Sequence, residues 1–159
     1  MSESRAWQLV RRPHGEPTDE DARLVDVTLP EPGPGEVLVR NTFLSVDPYM
    51  RGRMNDVTSY VPPFALDAPM DGGAVGVVEQ VDGSATDGPG HDVTVGDTVL
   101  HHLGWRTHAV LPGRHVRIVD TEVDGAPVPP QAYLGVLGMP GLTAYAGLLR
   151  IADFHEGDR

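Results

Sequence analysis

The sequence predicts a mainly β domain of the barrel or sandwich type. Short stretches of β-type composition recur along the chain, 19 glycines and 15 prolines punctuate them, and only two segments carry helix signals. At 159 residues the chain holds one ordinary hydrophobic core.

Residues 6–10 give the first strand. Residues 24–29 (Leu-Val-Asp-Val-Thr-Leu) and the start of 37–46 are β-branched and partly alternating, as half-buried strands are. Between them, Pro30-Glu31-Pro32-Gly33-Pro34-Gly35 is a turn by chemistry, because proline presets φ and glycine admits its positive values. Asp47 before Pro48 is a helix start, with the carboxylate as N-cap and proline at the first helical position. Gly52 and Asn55 limit this helix to a turn or two. Further strands are expected over 73–81, 98–103, 106–111 and 115–119, with a polar surface loop over 82–92. Residues 120–130 read as a linker. A second helix runs over 140–151, where Leu142, Tyr145, Leu149 and Ala152 fall at helical spacing and Arg150 suits the terminal dipole.

Composition excludes several functions. The formal net charge of −11 argues against nucleic acid, which is held by neutralising phosphates. All 12 basic residues are arginines, so neither a Schiff-base lysine nor a P-loop lysine is present. No cysteine means no disulfide, thiol nucleophile or thiolate metal site. No apolar run is long enough to cross a bilayer and the first residues lack a signal peptide's apolar stretch, so a cytoplasmic protein is expected, without a membrane partner.

Gly72-Gly73-Ala74-Val75-Gly76 looks like a phosphate loop, but a strand pattern follows it, whereas a dinucleotide loop opens a helix; tight sheet packing accounts for it better. His101 and His102, with His108, His91 and His115 nearby, would point to opposite faces of a strand, and surface imidazoles are expected, with no metal site. Arg11-Arg12 and the pair Arg51 and Arg53 read as solvated faces, although Arg51 could reach a carboxylate or phosphate of a ligand.

Two longer strings are more specific. Leu44-Ser45-Val46-Asp47-Pro48-Tyr49-Met50-Arg51 and Leu137-Gly138-Met139-Pro140-Gly141-Leu142-Thr143-Ala144-Tyr145 resemble two hallmarks of the leukotriene B4 12-hydroxydehydrogenase / prostaglandin reductase / alkenal double-bond reductase branch of the medium-chain dehydrogenases/reductases. Gly96-Asp97-Thr98-Val99 and Gly104-Trp105 are similar to turns found across that superfamily, and the resemblance runs the length of the chain. It implies a GroES-like, partly open β-barrel with short helices and a C-terminal helix: residues 1–128 as the β-domain and 129–159 as a helical connector. The nucleotide-binding Rossmann domain is expected to begin where this sequence stops, so it is missing here.

The resemblance also carries chemical expectations. Zinc-dependent members place a cysteine near the end of the strand at 43–46 and a histidine where Gly72 stands, so this chain is expected to be zinc-independent. Reducing an activated C=C bond needs no metal, only a donor that stabilises the developing enolate. The implied activity is NADP(H)-dependent reduction of α,β-unsaturated aldehydes or ketones. Tyr49, Arg51 and Met54 are the candidate substrate-binding residues; Pro48, Met139, Pro140, Gly141 and Thr143 are the candidate cofactor-binding residues. No catalytic residue is assigned. A core tyrosine at Tyr49 and a helix back-bond from Thr143 remain the structural alternatives. The cofactor is not expected to bind tightly to this chain alone. Expected partners are a small apolar enone or alkenal, a Rossmann domain in cis or trans, and a second copy in a homo-oligomer. Two other readings stand beside the enzyme: a free-standing GroES-like module binding a small ligand or a partner, and an inert relic.

Overall fold

A computed structural model describes residues 2–82, 93–155 and 157–158. The expected loop at 82–92, with His91, lies almost wholly outside the described residues.

The chain runs β1 (Ser2–Leu9), β2 (Ala22–Leu29), β3 (Glu36–Leu44), α1 (Pro48–Arg53), β4 (Ala74–Val81), β5 (Thr98–His101) and β6 (His108–Pro112). β7 (Arg117–Ile118), β8 (Glu122–Val123), β9 (Ala126–Pro127) and α2 (Met139–Ala146) follow, and α2 continues into a π-helical turn over Gly147–Ile151. A five-stranded antiparallel sheet has the order β6-β3-β4-β5-β7, and β1 and β2 form a hairpin of their own. Backbone bonds from Trp7 N–H to Trp105 O and from Thr107 N–H to Arg5 O, both 2.8 Å, tie the hairpin to the segment entering β6. The result is the partly open barrel that the sequence predicts.

The strands bury the β-branched residues on which that expectation rested. Val37, Val39, Val78, Val93, Val99, Ala109, Leu111 and Val116 form the main core. The first half of β3 does not alternate, since Val37, Leu38 and Val39 are all buried. Register shifts at Leu38/Val39 and Asn41/Phe43 bend this strand, as bulges do where a sheet curls. A second cluster, Leu9, Met50, Phe64 and Met70, seats α1 on the barrel, with Tyr49, Met54 and Trp105 packed against it.

Several boundaries differ from expectation for local reasons. β3 ends at Leu44, two residues early, because Ser45 and Val46 lead into the extended Asp47 that Pro48 requires. The stretch 113–119 opens with a 3-10 turn, leaving a two-residue strand. The linker at 120–130 contains the β8–β9 hairpin, whose central residues Asp124 and Gly125 both have positive φ (51° and 77°), the geometry of an Asp-Gly hairpin turn.

Candidate functional site

α1 is the element from which the site is built. Pro48 presets its first turn, and Asp47 has the extended φ of an N-cap at −115°. Its carboxylate does not cap the helix, which corrects the expected role: it accepts a hydrogen bond from the Ser45 hydroxyl at 2.7 Å instead. The segment preceding the helix is thereby fixed.

Behind α1, the Met50 side chain fills the space next to Gly72. A β-carbon at residue 72 would overlap Met50 Cε and lie 3.5 Å from the Trp105 indole nitrogen. No imidazole fits at this position without displacing Met50. Trp105 adopts a left-handed φ of 56°, and its Nε1 is buried with no hydrogen-bond partner among the described residues. Such strain persists only when neighbours over-determine it. Here Asn41 Nδ2 grips Leu103 O and Arg106 O, while Arg106 donates to Gly104 O and Met70 O.

A cleft of about 200 Å³ opens between α1 and the loop that follows it. It is lined by Pro48, Tyr49, Gly52 and Arg53 on the helix side and by Val57, Tyr60, Val61 and Pro63 among the loop residues. Burial raises the Tyr49 phenol above its ordinary pKa, and the Asp47 charge raises it further, against a lowering by Arg53. The group is therefore a neutral hydrogen-bond donor at physiological pH. Arg53 is not available to a ligand. It forms a two-pronged ion pair with Asp71, donates to Pro62 O at 2.9 Å and stacks 4.1 Å above the Phe64 ring.

Of the sequence-predicted substrate residues, Tyr49 lines this cleft, as does Pro48 from the cofactor set. Arg51 turns away: its guanidinium donates to Asn55 Oδ1 and Gly15 O. Met54 packs on the Leu9–Met70 cluster. Met139, Pro140, Gly141 and Thr143 all lie on α2 and none lines the cleft. Their link to it is indirect. The 3-10 turn over Pro130–Leu134 packs on β4, and Leu134 and Ser45 both lie beside Gly73, near the entry to α1.

The start of α2 is packed tightly. A β-carbon at Gly141 would overlap the Val136 carbonyl, so glycine is required there. Gly141 N–H donates to Gly135 O at 3.1 Å, which leaves fewer open first-turn donors than a bare helix end would have. The Thr143 hydroxyl makes no hydrogen bond to the described residues, so the expected alternative of a back-bond is not realised. Along this tail Val136, Met139, Leu142, Tyr145 and Ile151 are exposed, Ile151 by 83%.

Two expectations about charged groups are corrected. His101 is no surface imidazole: it is buried, its Nε2 lies 2.8 Å from Asn41 Oδ1, and its Nδ1 accepts from Leu103 N–H. Burial pushes its pKa down to about 4, helped by His102 and Arg106. His102 is exposed and His108 lies 3.5 Å from Glu79, so the three do not converge. Nor is Arg12 a solvated charge, since it is only 25% exposed and donates to two main-chain carbonyls, whereas Arg11 stays exposed as expected while its Nε bonds the buried Asp21.

A more open cleft of about 270 Å³ at the hairpin seam, lined by Trp7, Leu24, Phe43, Leu44, Trp105 and Arg5 among others, holds no sequence-predicted site residue. Its exposed side chains were missed because lone apolar residues on strands read as core.

Comparison with known proteins places these features. Residues 5–119 match the family model described as the N-terminal domain of oxidoreductase. The chain is 42% identical to NADPH-dependent curcumin reductase of Escherichia coli over 98% of its own length and 42% of that protein's. It is 35% identical to the NADP(+)-dependent 2-alkenal reductase of Nicotiana tabacum, covering 91% of this chain and 40% of that one. The crystal structure of CurA in complex with NADPH from Vibrio vulnificus superposes with a TM-score of 0.83 at 42% identity, over 97% of this chain and 42% of that one. The chain thus spans about two fifths of the length of these relatives. It belongs to the medium-chain dehydrogenase/reductase family and carries that family's GroES-like N-terminal domain.

Proposed function

We propose that this chain supplies the substrate-side wall of an NADP(H)-dependent reductase acting on the C=C bond of small apolar α,β-unsaturated aldehydes or ketones. The observation that carries this reading is the Tyr49 cleft: a neutral phenol whose pKa burial raises further, set in a mostly apolar opening beside α1. Conjugate reduction places negative charge on the carbonyl oxygen, and a preorganised donor stabilises that charge best where water is excluded. Tyr49 donates to the oxygen, while Val57, Val61 and Pro63 cover the carbon chain.

NADP(H), when bound, supplies the hydride for the carbon β to the carbonyl. The residues on α2 fit one edge of such a cofactor. Neither the Thr143 hydroxyl nor Met139 N–H has a partner among the described residues, and the exposed apolar face suits a covering domain. Among the described residues no strand, glycine loop and helix occur in the order that cradles a pyrophosphate. The cofactor is therefore held mainly by a Rossmann domain, in cis or in trans, and a homo-oligomer is the expected assembly. No helix among the described residues is long and apolar enough to cross a membrane, and we place the protein in the cytoplasm.

The test is a chimera in which this chain replaces the matching two fifths of the Escherichia coli curcumin reductase. It should oxidise NADPH on addition of an aromatic enone such as 4-phenylbut-3-en-2-one. A folded chimera that binds NADPH but turns over no enone or enal would sink the proposal.

A further inference from the structure

The loop facing α1, residues 55–63, forms one whole wall of the Tyr49 cleft. Its ends meet, with Phe64 N–H donating to Arg53 O at 2.8 Å, so it has the form of an Ω-loop. Its outer part is poorly supported: Val57 is 56% and Tyr60 85% exposed. The loop is held at its base, by arginines from either side. Arg53 belongs to α1 and binds Pro62 O. Arg12 comes from the segment after β1, where its guanidinium donates through one terminal nitrogen to Met54 O at 2.9 Å and through the other to Phe64 O at 3.1 Å.

Those two carbonyls stand immediately before and immediately after the loop. One planar fork therefore spans both ends, and its rigid geometry sets how far apart they sit. Arg12 is itself well anchored. Val10 N–H and Arg11 N–H both donate to Asp21 O, Arg11 Nε grips the buried Asp21 carboxylate, and Arg51 ties Gly15 O back to α1. The Arg12 side chain is only 25% exposed. Asp56 lies 3.9 Å away but is 79% exposed, a screened pair that adds little, so the carbonyl bonds are what matter.

We propose that Arg12 is a positioning residue for the cleft, a clasp that holds the 55–63 loop over α1 and so sets the opening in which a substrate is received. This rests on the reading of the Tyr49 cleft as the substrate site. Arg12 touches no ligand in this scheme; it acts through the loop.

The test uses the chain as it stands, with the variants Arg12→Gln and Arg12→Lys. Amide hydrogen exchange should accelerate by about 10-fold or more in Arg12→Gln at Asn55 and Phe64, the loop amides held by backbone bonds to Gly52 O and Arg53 O, while β3 and β4 keep their rates. Arg12→Lys, which keeps the charge but lacks the fork, should fall between. Titration with 4-phenylbut-3-en-2-one, followed by NMR shifts of residues 48–63, should show Kd raised by about 10-fold in Arg12→Gln, the loss expected when a binding wall must be re-ordered. Unchanged loop exchange in Arg12→Gln would overturn the clasp, and so would acceleration spread evenly over the whole barrel. Faster loop exchange with unchanged enone affinity would overturn the positioning role. If the wild-type chain shows no enone-dependent shifts, the enone reading itself falls, while the exchange result still decides the clasp.

Discussion

His101 sits in the barrel wall with both ring nitrogens engaged, and its pKa is held at about 4 against an ordinary 6.5. The unfolded chain binds the proton that the native state refuses, so stability falls as pH drops from about 6.5 towards 4 and is fully present above that window. The contribution is at most about 3 kcal/mol. Urea midpoints at pH 7.5 and pH 4.5 check this: wild type should lose more on acidification than His101→Gln, and equal losses would remove His101 as the cause. At Tyr49 the expected outcome concerns rate. In the chimera, Tyr49→Phe should lower kcat by about 10²-fold with a smaller change in KM, because the phenol donates most strongly to the charge that develops during reduction. An unchanged kcat would return Tyr49 to the role of a core tyrosine.

At the scale of elements, α1 and the segment around α2 differ in how they are held. α1 is only six residues long, too short to persist by propensity, and it stands because Met50 enters the Leu9–Phe64–Met70 cluster and arginines fasten its end. Met50→Ala should cost about 2–5 kcal/mol by denaturant melt and loosen the cleft with it. α2 has no buried residue at all. Its apolar side chains face outwards, and its continuation is a π-turn with exposed Leu148, Leu149 and Ile151. The isolated chain should therefore fray over 139–151 or associate through that face. Strong amide protection there in a strict monomer, measured by exchange and sedimentation together, would contradict this. The cause of the exposure lies outside propensity, since the helical spacing of Leu142, Tyr145 and Leu149 is that of a packed face.

For the whole molecule, the main core lies in the barrel and the Tyr49 cleft at its margin. The valine core joins β3, β4, β5 and β6, whereas the Tyr49 cleft is formed by one continuous stretch, 48–63, laid on the second apolar cluster. The chain alone should bind NADPH only weakly, because the pyrophosphate cradle is not among the described elements. Titration showing sub-micromolar affinity would overturn that expectation.

The strands, the helix start at Pro48 and the family were legible in the residues because they rest on local chemistry: β-branched runs, proline at the first helical turn, and two long strings in register. The cleft was legible only in part. Tyr49 could be named because it follows Pro48, but Arg51 and Met54 could not be separated from it, since the side of a short helix that meets the barrel is a tertiary property. Arg12 and Arg53 look like solvated charges in the sequence, and their partners show why. Arg12 binds carbonyls 42 and 52 residues away, and main-chain carbonyls leave no mark in a sequence. His101 likewise depends on Asn41, 60 residues distant. Local sequence determined which elements form and which family they spell. The tertiary structure decided which charges are buried, what Arg12 holds and which face of α1 lines the cleft, because those depend on groups that only folding brings within hydrogen-bond reach.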